Sequence, residues 1–330
     1  MQNLPTPSCV TDTVSDHAHQ ALRTSECRYR RLFETAQDGI LLLNADTAQI
    51  EDVNPYLIEL LGYSHAEFLG KKLWEVGSFA DIAQSKEMFA ELQTKGYVRY
   101  DDLPLKTKEG ARIQVEFVSN SYDCGGTKVI QCNIRNITER KRVEGKIYDL
   151  AYHDSLTQLP NRRHLKDRLE QTMVASKRSG RYGALMFLDM DNFKPLNDTH
   201  GHDVGDLLLV EVARRISSCV REMDIVARFG GDEFMVMLAE LDVDKDKSAT
   251  QAAIVAEKIR AFLAEPYVLK FDKVGTEKLP IEHHFTSSIG VVMFINHDGS
   301  ADDIVKWADL AMYRAKNAGR NLIRFYDSNA

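Results

Sequence analysis

Apolar residues recur along this chain in two arrangements, and the change between them divides it. In the first half, residues 97–106, 112–120 and 128–137 alternate apolar with polar positions, the two-residue period of strands that bury one face. Lys108-Glu109-Gly110 and Cys124-Gly125-Gly126 punctuate these runs with turn residues, so the three read as an antiparallel meander. Upstream, residues 39–44 read as another strand. Asn54-Pro55 opens a short helix carrying Leu57, Ile58, Leu60 and Leu61, and Ser64-His65-Ala66-Glu67 forms a capping box for a second helix that Gly70 closes. Met88 and Leu92 belong to a longer helix.

In the second half the strand signals are short apolar runs, at residues 184–188, 225–229 and 234–238, with a closing strand at 322–326. Between the halves, residues 138–152 are charged and helical in pattern. There Val143, Ile147 and Leu150 fall at d, a, d spacing, about one heptad of a seam. Residues 1–20 are polar, with Pro, Ser, Thr and His, and read as a mobile tail before a helical pattern that starts near Ala21 and carries Tyr29, Leu32 and Phe33.

A chain of 330 residues suits two domains, each large enough to bury its own core. The net charge of −7 leaves no basic footprint for nucleic acid, so a DNA or RNA partner is disfavoured. The acidic balance suits a soluble cytoplasmic protein. Near the front, Ile40-Leu41-Leu42-Leu43 is the longest apolar run, far short of a membrane span, and the N-terminus shows no basic segment followed by an apolar core. Five scattered cysteines fit neither a disulfide framework nor zinc spacing.

The chemistry concentrates in the second half. Arg228-Phe229-Gly230-Gly231-Asp232-Glu233-Phe234 sets two adjacent carboxylates on a glycine turn between two strand-like runs, where a triphosphate can approach the backbone closely. Adjacent acids repel unless a cation or a shared proton lies nearby. The strand at 184–188 ends in Asp189-Met190-Asp191, a second acidic pair, followed by Phe193, Lys194, Asn197, Asp198, His202 and Asp206. Taken alone, each motif is as consistent with a solvated turn or strand exit. Taken together, two acid-bearing strand ends in one sheet suit two-metal phosphoryl transfer, with Asp189 and Asp232 bridging divalent ions and Mg²⁺ favoured by the hard oxygen donors.

With Asp154-Ser155-Leu156-Thr157-Gln158-Leu159-Pro160-Asn161-Arg162 at the start and Tyr313-Arg314-Ala315-Lys316-Asn317-Ala318-Gly319-Arg320-Asn321 near the end, residues 153–330 resemble a GGDEF domain, the diguanylate cyclase family. The resemblance implies condensation of two GTP into cyclic di-GMP with release of two pyrophosphates, in a homodimer in which each domain holds one GTP. It implies Asp189, the Met190 carbonyl and Asp232 as Mg²⁺ ligands (Mn²⁺ being the alternative ion), with Glu233 a further acid beside the metal. Either Asp232 or Glu233 accepts the proton of the ribose 3′-hydroxyl; Asp232 is favoured. Asn197, His202 and Asp206 match positions that hold the nucleotide. An Asp accepts from guanine N1–H and N2–H₂, and an Asn amide donates to O6. Lys194, Lys316 and Arg320 match positions near the phosphates, and Gly230-Gly231 the phosphate turn. Arg221-Glu222-Met223-Asp224, with five residues separating Asp224 from Gly230, resembles the family's inhibitory product site, with Arg221 and Asp224 clamping cyclic di-GMP as an allosteric inhibitor. A rival reading is a catalytically inactive GGDEF receptor for cyclic di-GMP or GTP.

Residues 27–138 resemble a PAS sensor domain, on Asn54-Pro55, Leu61-Gly62-Tyr63 and Asn136-Ile137-Thr138-Glu139-Arg140. The ligand of its pocket is unknown. No reactive-cysteine motif of flavin photoreceptors follows Leu61-Gly62-Tyr63-Ser64, and His65 at a helix start reads as solvent-facing. The expected fold class is α+β: an antiparallel PAS sheet with short helices, joined by a signalling linker helix at 139–152 to an α/β, cyclase-palm-like GGDEF domain whose central sheet is flanked by helices. Residues 1–26 then form the tail and the start of a lead helix.

Overall fold

A computed structural model describes residues 9–79, 82–269, 281–295 and 299–327. The chain divides into two compact units, Met1–Gly145 and Lys146–Ala330.

In the first unit, α1 (Cys9–Glu34) leads to β1 (Gly39–Asn44) and β2 (Ile50–Val53), then the short helices α2 (Pro55–Leu61) and α3 (His65–Phe68). The longer α4 (Ile82–Lys95) precedes a meander of β3 (Tyr97–Lys106), β4 (Arg112–Cys124) and β5 (Thr127–Asn136). These strands form one five-stranded sheet in the order β2-β1-β5-β4-β3, every neighbouring pair antiparallel. The alternation read from the sequence is realised: Leu41, Leu43, Phe117, Ile130 and Ile134 turn inward against Leu57, Leu61 and Phe68, while the residues between them are less buried.

Asn54 anchors this core although it is polar and fully buried. Its Oδ1 accepts from Leu57 N, capping α2, and from Ile40 N, while Nδ2 donates to the carbonyls of Phe33 and Asp38. A buried amide so fully paired carries no desolvation penalty and fastens the end of α1 to the sheet.

The expected mobile tail over residues 1–20 is corrected from Cys9 onward, where α1 already runs as helix. No Pro or Gly occurs between Pro7 and Gly39, so nothing in the sequence breaks a helix that begins early. Residues 1–8 of that expectation lie outside the described residues.

Helix α5 (Thr138–Tyr152) carries the division between the units. At its start Asn136 Oδ1 accepts from Thr138 N at 2.9 Å, and Thr138 Oγ1 accepts from Gln114 N at 2.9 Å.

The second unit contains α6 (Arg162–Ser179), β6 (Gly183–Asp191), α7 (Phe193–His200), α8 (His202–Cys219), β7 (Ile225–Gly230), β8 (Glu233–Leu238) and α9 (Lys245–Leu263). A two-stranded pair, β9 (Tyr267–Leu269) and β10 (Ile281–His283), precedes β11 (Thr286–Phe294), α10 (Ala301–Asn317) and β12 (Ile323–Phe325). The five-stranded sheet has the order β12-β11-β6-β8-β7, with only β11 and β12 parallel.

Helices cover both faces of this sheet. On one side α8 and α9 supply Leu208, Val212, Ile216, Ala256 and Ile259; on the other, α6 and α10 supply Leu169, Met173, Ile304, Ala308 and Met312. Every residue of β6 is therefore buried, including its two terminal acids. Gly290 lets α10 lie close to the sheet, since a Cβ there would stand 2.1 Å from the carbonyl oxygen of Ala308. That close seat fixes where the next turn of α10, bearing Lys316, meets the end of β6.

Candidate active site

The register of the second sheet assembles the acids. Antiparallel pairing of β6 with β8 sets Asp189 directly opposite Glu233, and Met190 N points at the carbonyl of Asp232 across 3.4 Å. Gly230 and Gly231 make the turn, at φ 154° and 55°, backbone conformations that side chains resist. Nothing lies within 4 Å of where either Cβ would stand, so the turn presents bare backbone to open space.

Two carboxylates end β6 two residues apart, yet their surroundings differ. Asp191 is saturated by the protein: Thr286 Oγ1 and Ser288 Oγ each donate to it at 2.7 Å, and Asn321 N donates at 3.0 Å. Asp189 has one ion-pair partner, Lys316 Nζ at 2.6 Å from Oδ2. Burial pushes the Asp189 carboxyl above its usual range, and the neighbouring charges of Asp232 and Asp191 add to this, against the pull of Lys316. Glu233 is raised in the same way, by burial first and then by Asp189, Asp232 and Asp309. The cluster thus holds more negative charge than the lysine neutralises.

Among the described residues no group of three or more His, Cys, Asp or Glu is already gathered tightly enough to hold a metal ion. The donor set still fits a hard divalent cation: carboxylate oxygens whose mutual repulsion such a charge would relieve, with the Lys316 ammonium standing for part of it.

A grip on the turn escaped sequence reasoning. The Arg228 guanidinium donates through Nε and a terminal nitrogen to the Gly231 carbonyl at 2.9 and 2.8 Å, and through its other terminal nitrogen to Asp154 at 3.0 Å. Asp154 also accepts from Thr157 N and Oγ1. Burial works against ionisation of Asp154, but the Thr157 bonds and Arg228 outweigh it and hold the carboxyl below its usual range. The opening signature therefore positions the glycine turn from 74 residues away. An Arg two residues before Gly-Gly and an Asp opening a turn were the signals available.

The remaining residues read from the sequence lie on α7, α8 and the chain after α10. Asn197 packs against α8 where Gly205 leaves room, and its Oδ1 is buried without a hydrogen-bond partner. His202, Asp206, Lys194 and Arg320 are exposed, and none is joined to the acidic cluster by a hydrogen bond or ion pair described in the structure. Arg221 and Asp224 share the turn before β7, but the Asp224 carboxylate is engaged there, accepting from Arg221 N at 3.0 Å and Ala239 N at 3.2 Å.

The family described as "Diguanylate cyclase, GGDEF domain" matches residues 151–322, and a PAS domain family matches residues 27–94. Over 93% of its length the chain is 35% identical to an uncharacterized signalling protein of Caulobacter vibrioides, of which it spans 36%. Over 89% of its length it is 32% identical to diguanylate cyclase DgcM of Escherichia coli, of which it spans 68%. A solved GGDEF domain of TpbB from Pseudomonas aeruginosa is 35% identical, covering 54% of this chain and 96% of the solved one, with a TM-score of 0.48.

Proposed function

The chain belongs to the GGDEF family of diguanylate cyclases, and we propose that it condenses two GTP into cyclic di-GMP. In each half of the reaction the ribose 3′-hydroxyl of one GTP attacks the α-phosphorus of the other, a P–O bond forms, and pyrophosphate leaves. The observation that carries this reading is the meeting of Asp189, Asp232 and Glu233 beside an open glycine turn, with Lys316 already on Asp189.

Asp189, the Met190 carbonyl, Asp232 and Glu233 would hold Mg²⁺ or Mn²⁺, which when bound supplies positive charge that acidifies the hydroxyl and neutralises pyrophosphate. The chain's own groups do the rest. Either Asp232 or Glu233 takes the 3′-hydroxyl proton, with Asp232 favoured. The Gly230-Gly231 backbone admits the phosphates, and Lys316, Lys194 and Arg320 balance their charge. Asp206 accepts from the guanine N1–H and N2–H₂ edge, Asn197 meets the base through its amide, and His202 flanks the nucleotide.

Two GTP must face one another, so the active form is a homodimer, and the exposed Val143, Ile147 and Leu150 on α5 are suited to a seam between copies. The PAS unit sets the activity through residues 139–152. Product inhibition acts at Arg221, whose guanidinium is the arm of the Arg221/Asp224 pair left to reach cyclic di-GMP. Incubating the purified protein with GTP and Mg²⁺ and weighing the product tests the whole: cyclic di-GMP and pyrophosphate in a one-to-two ratio are expected, and unchanged GTP would leave the receptor reading standing.

A further inference from the structure

Behind α7 lies a cavity that the cyclase reading does not use. Its volume is about 400 Å³, in the range of small-molecule sites, and Asn192, Pro195, Leu196, Thr199, His200, His283, His284 and Phe285 line it with Asp191, Ala264 and Thr286. Its three imidazoles come from two separate parts of the chain, the end of α7 and the residues around the end of β10.

The hydroxyls and the carboxylate that line it are committed. Thr199 Oγ1 donates to the Pro195 carbonyl, and Thr286 Oγ1 to Asp191, whose carboxylate is saturated within the protein. Glu282 pairs with His284 at 3.4 Å. His283 stacks on Phe285 and faces His200 and His284; burial, and then the charges of those two, keep its proton affinity below the ordinary imidazole value. Protonated together, these rings repel, and an anion among them removes the repulsion. A metal is the obvious alternative for three histidines, but they do not converge as a ligand set.

We propose that this cavity is an effector site for a small phosphate-class anion, inorganic phosphate or pyrophosphate, held by His200, His283 and His284. At 100° per residue, α7 turns Pro195, Leu196, Thr199 and His200 toward the cavity and Lys194 and Asn197 to its opposite side. An anion behind the helix therefore biases the helix that bears two nucleotide contacts. This coupling rests on the cyclase reading of Lys194 and Asn197; the binding itself does not.

The test follows histidine ring NMR signals of the full chain, without GTP or metal, at about pH 5.5, below the ordinary imidazole value. Phosphate, pyrophosphate and sulfate are titrated separately. Saturable shifts of His200, His283 and His284 are expected, with affinity at least about tenfold weaker in the double variant His200→Ala/His283→Ala, and weaker again for sulfate, whose charge stays constant, at about pH 8. Thr199→Asp, which puts a fixed negative charge in the cavity, should abolish the shifts, and it decides the matter if the double variant does not fold. Asp232→Ala should leave them intact, which separates this site from the cyclase reading. Absence of saturable shifts, equal affinity in the variants, or a response to Zn²⁺ alone would overturn the proposal. Preference for pyrophosphate over phosphate would identify the reaction's own product as effector; the reverse would point to free phosphate.

Discussion

The two five-stranded sheets of this protein treat polar residues differently. In the N-terminal sheet, alternation sends side chains inward or toward partial exposure, and most polar groups on the strands stay near solvent, as with Gln131 and Asn133. In the C-terminal sheet β6 is buried from Gly183 to Asp191, so the acids at its end have little solvent access. A carboxylate there must find a partner inside the protein or hold its proton more tightly. Asp191 finds partners; Asp189 and Glu233 remain undercompensated. The comparison locates chemistry where a doubly covered sheet tolerates charge that packing alone does not explain.

The sharpest way to break this contrast is to remove the undercompensated acids. Asp232→Ala and Asp189→Ala should each lower the rate of cyclic di-GMP formation about a thousandfold or more, because under the proposed function each removes an oxygen donor for the metal. Thermal unfolding should show both variants folded. Product at close to the wild-type rate from either would remove these residues from the site.

Next in size is the grip on the turn. Asp154→Asn and Arg228→Lys should each slow turnover about 10–100-fold, since loosening the Gly231 carbonyl misplaces the groups that flank it, and Asp154→Asn should also lose the stability that the ionised carboxylate supplies near neutral pH. Because both act through one ion pair, the double variant should be no slower than the slower single one. Additive losses would show that the two side chains act separately.

Much of this was legible in the sequence, and the boundary is physical. The hairpin, the meander and the capping box are local, set by turn residues and side-chain period within a few positions. Apart from the family resemblance, nothing in the residues tells Asp191 from Asp189, since what separates them is Thr286 and Ser288, 95 and 97 residues away, brought in by strand register. The pairing of Lys316 with Asp189 depends likewise on how closely α10 seats at Gly290. The early start of α1 is hidden by polar composition and permitted by the absence of Pro and Gly between Pro7 and Gly39.

A smaller effect carries an informative sign. Asp189 and Glu233 bind protons more tightly in the folded chain than in the unfolded one, so their contribution to metal-free stability is greatest at acid pH and is lost as pH rises through their raised range. Asp154 contributes oppositely: its stabilisation is present above the ordinary Asp value and fades as pH drops through its lowered one. Glu233→Gln should therefore raise the metal-free melting temperature near neutral pH by about 2–4 °C, the shift that 1 kcal/mol makes in a domain of this size, while lowering activity. Mg²⁺ should stabilise the parent more than this variant. A lower melting temperature for Glu233→Gln would show that Glu233 is well compensated and that the contrast between the sheets is misdrawn.

The smallest effect belongs to the N-terminal sheet, where polar groups sit near solvent and their replacement costs little. Asn136 precedes α5 and holds Thr138 N through its amide oxygen, a bond that a carboxylate would make equally well and with added attraction to the helix N-terminus. Asn136→Asp should hence change stability by no more than about 0.5 kcal/mol, whereas Asn136→Ala, which leaves that N–H to water, should cost about 1 kcal/mol. Chemical denaturation of the two variants measures the difference. If Asn136→Ala proved neutral, the start of α5 would be held by Thr138 and Gln114 alone, and the residue at 136 would be free to vary without loosening the helix.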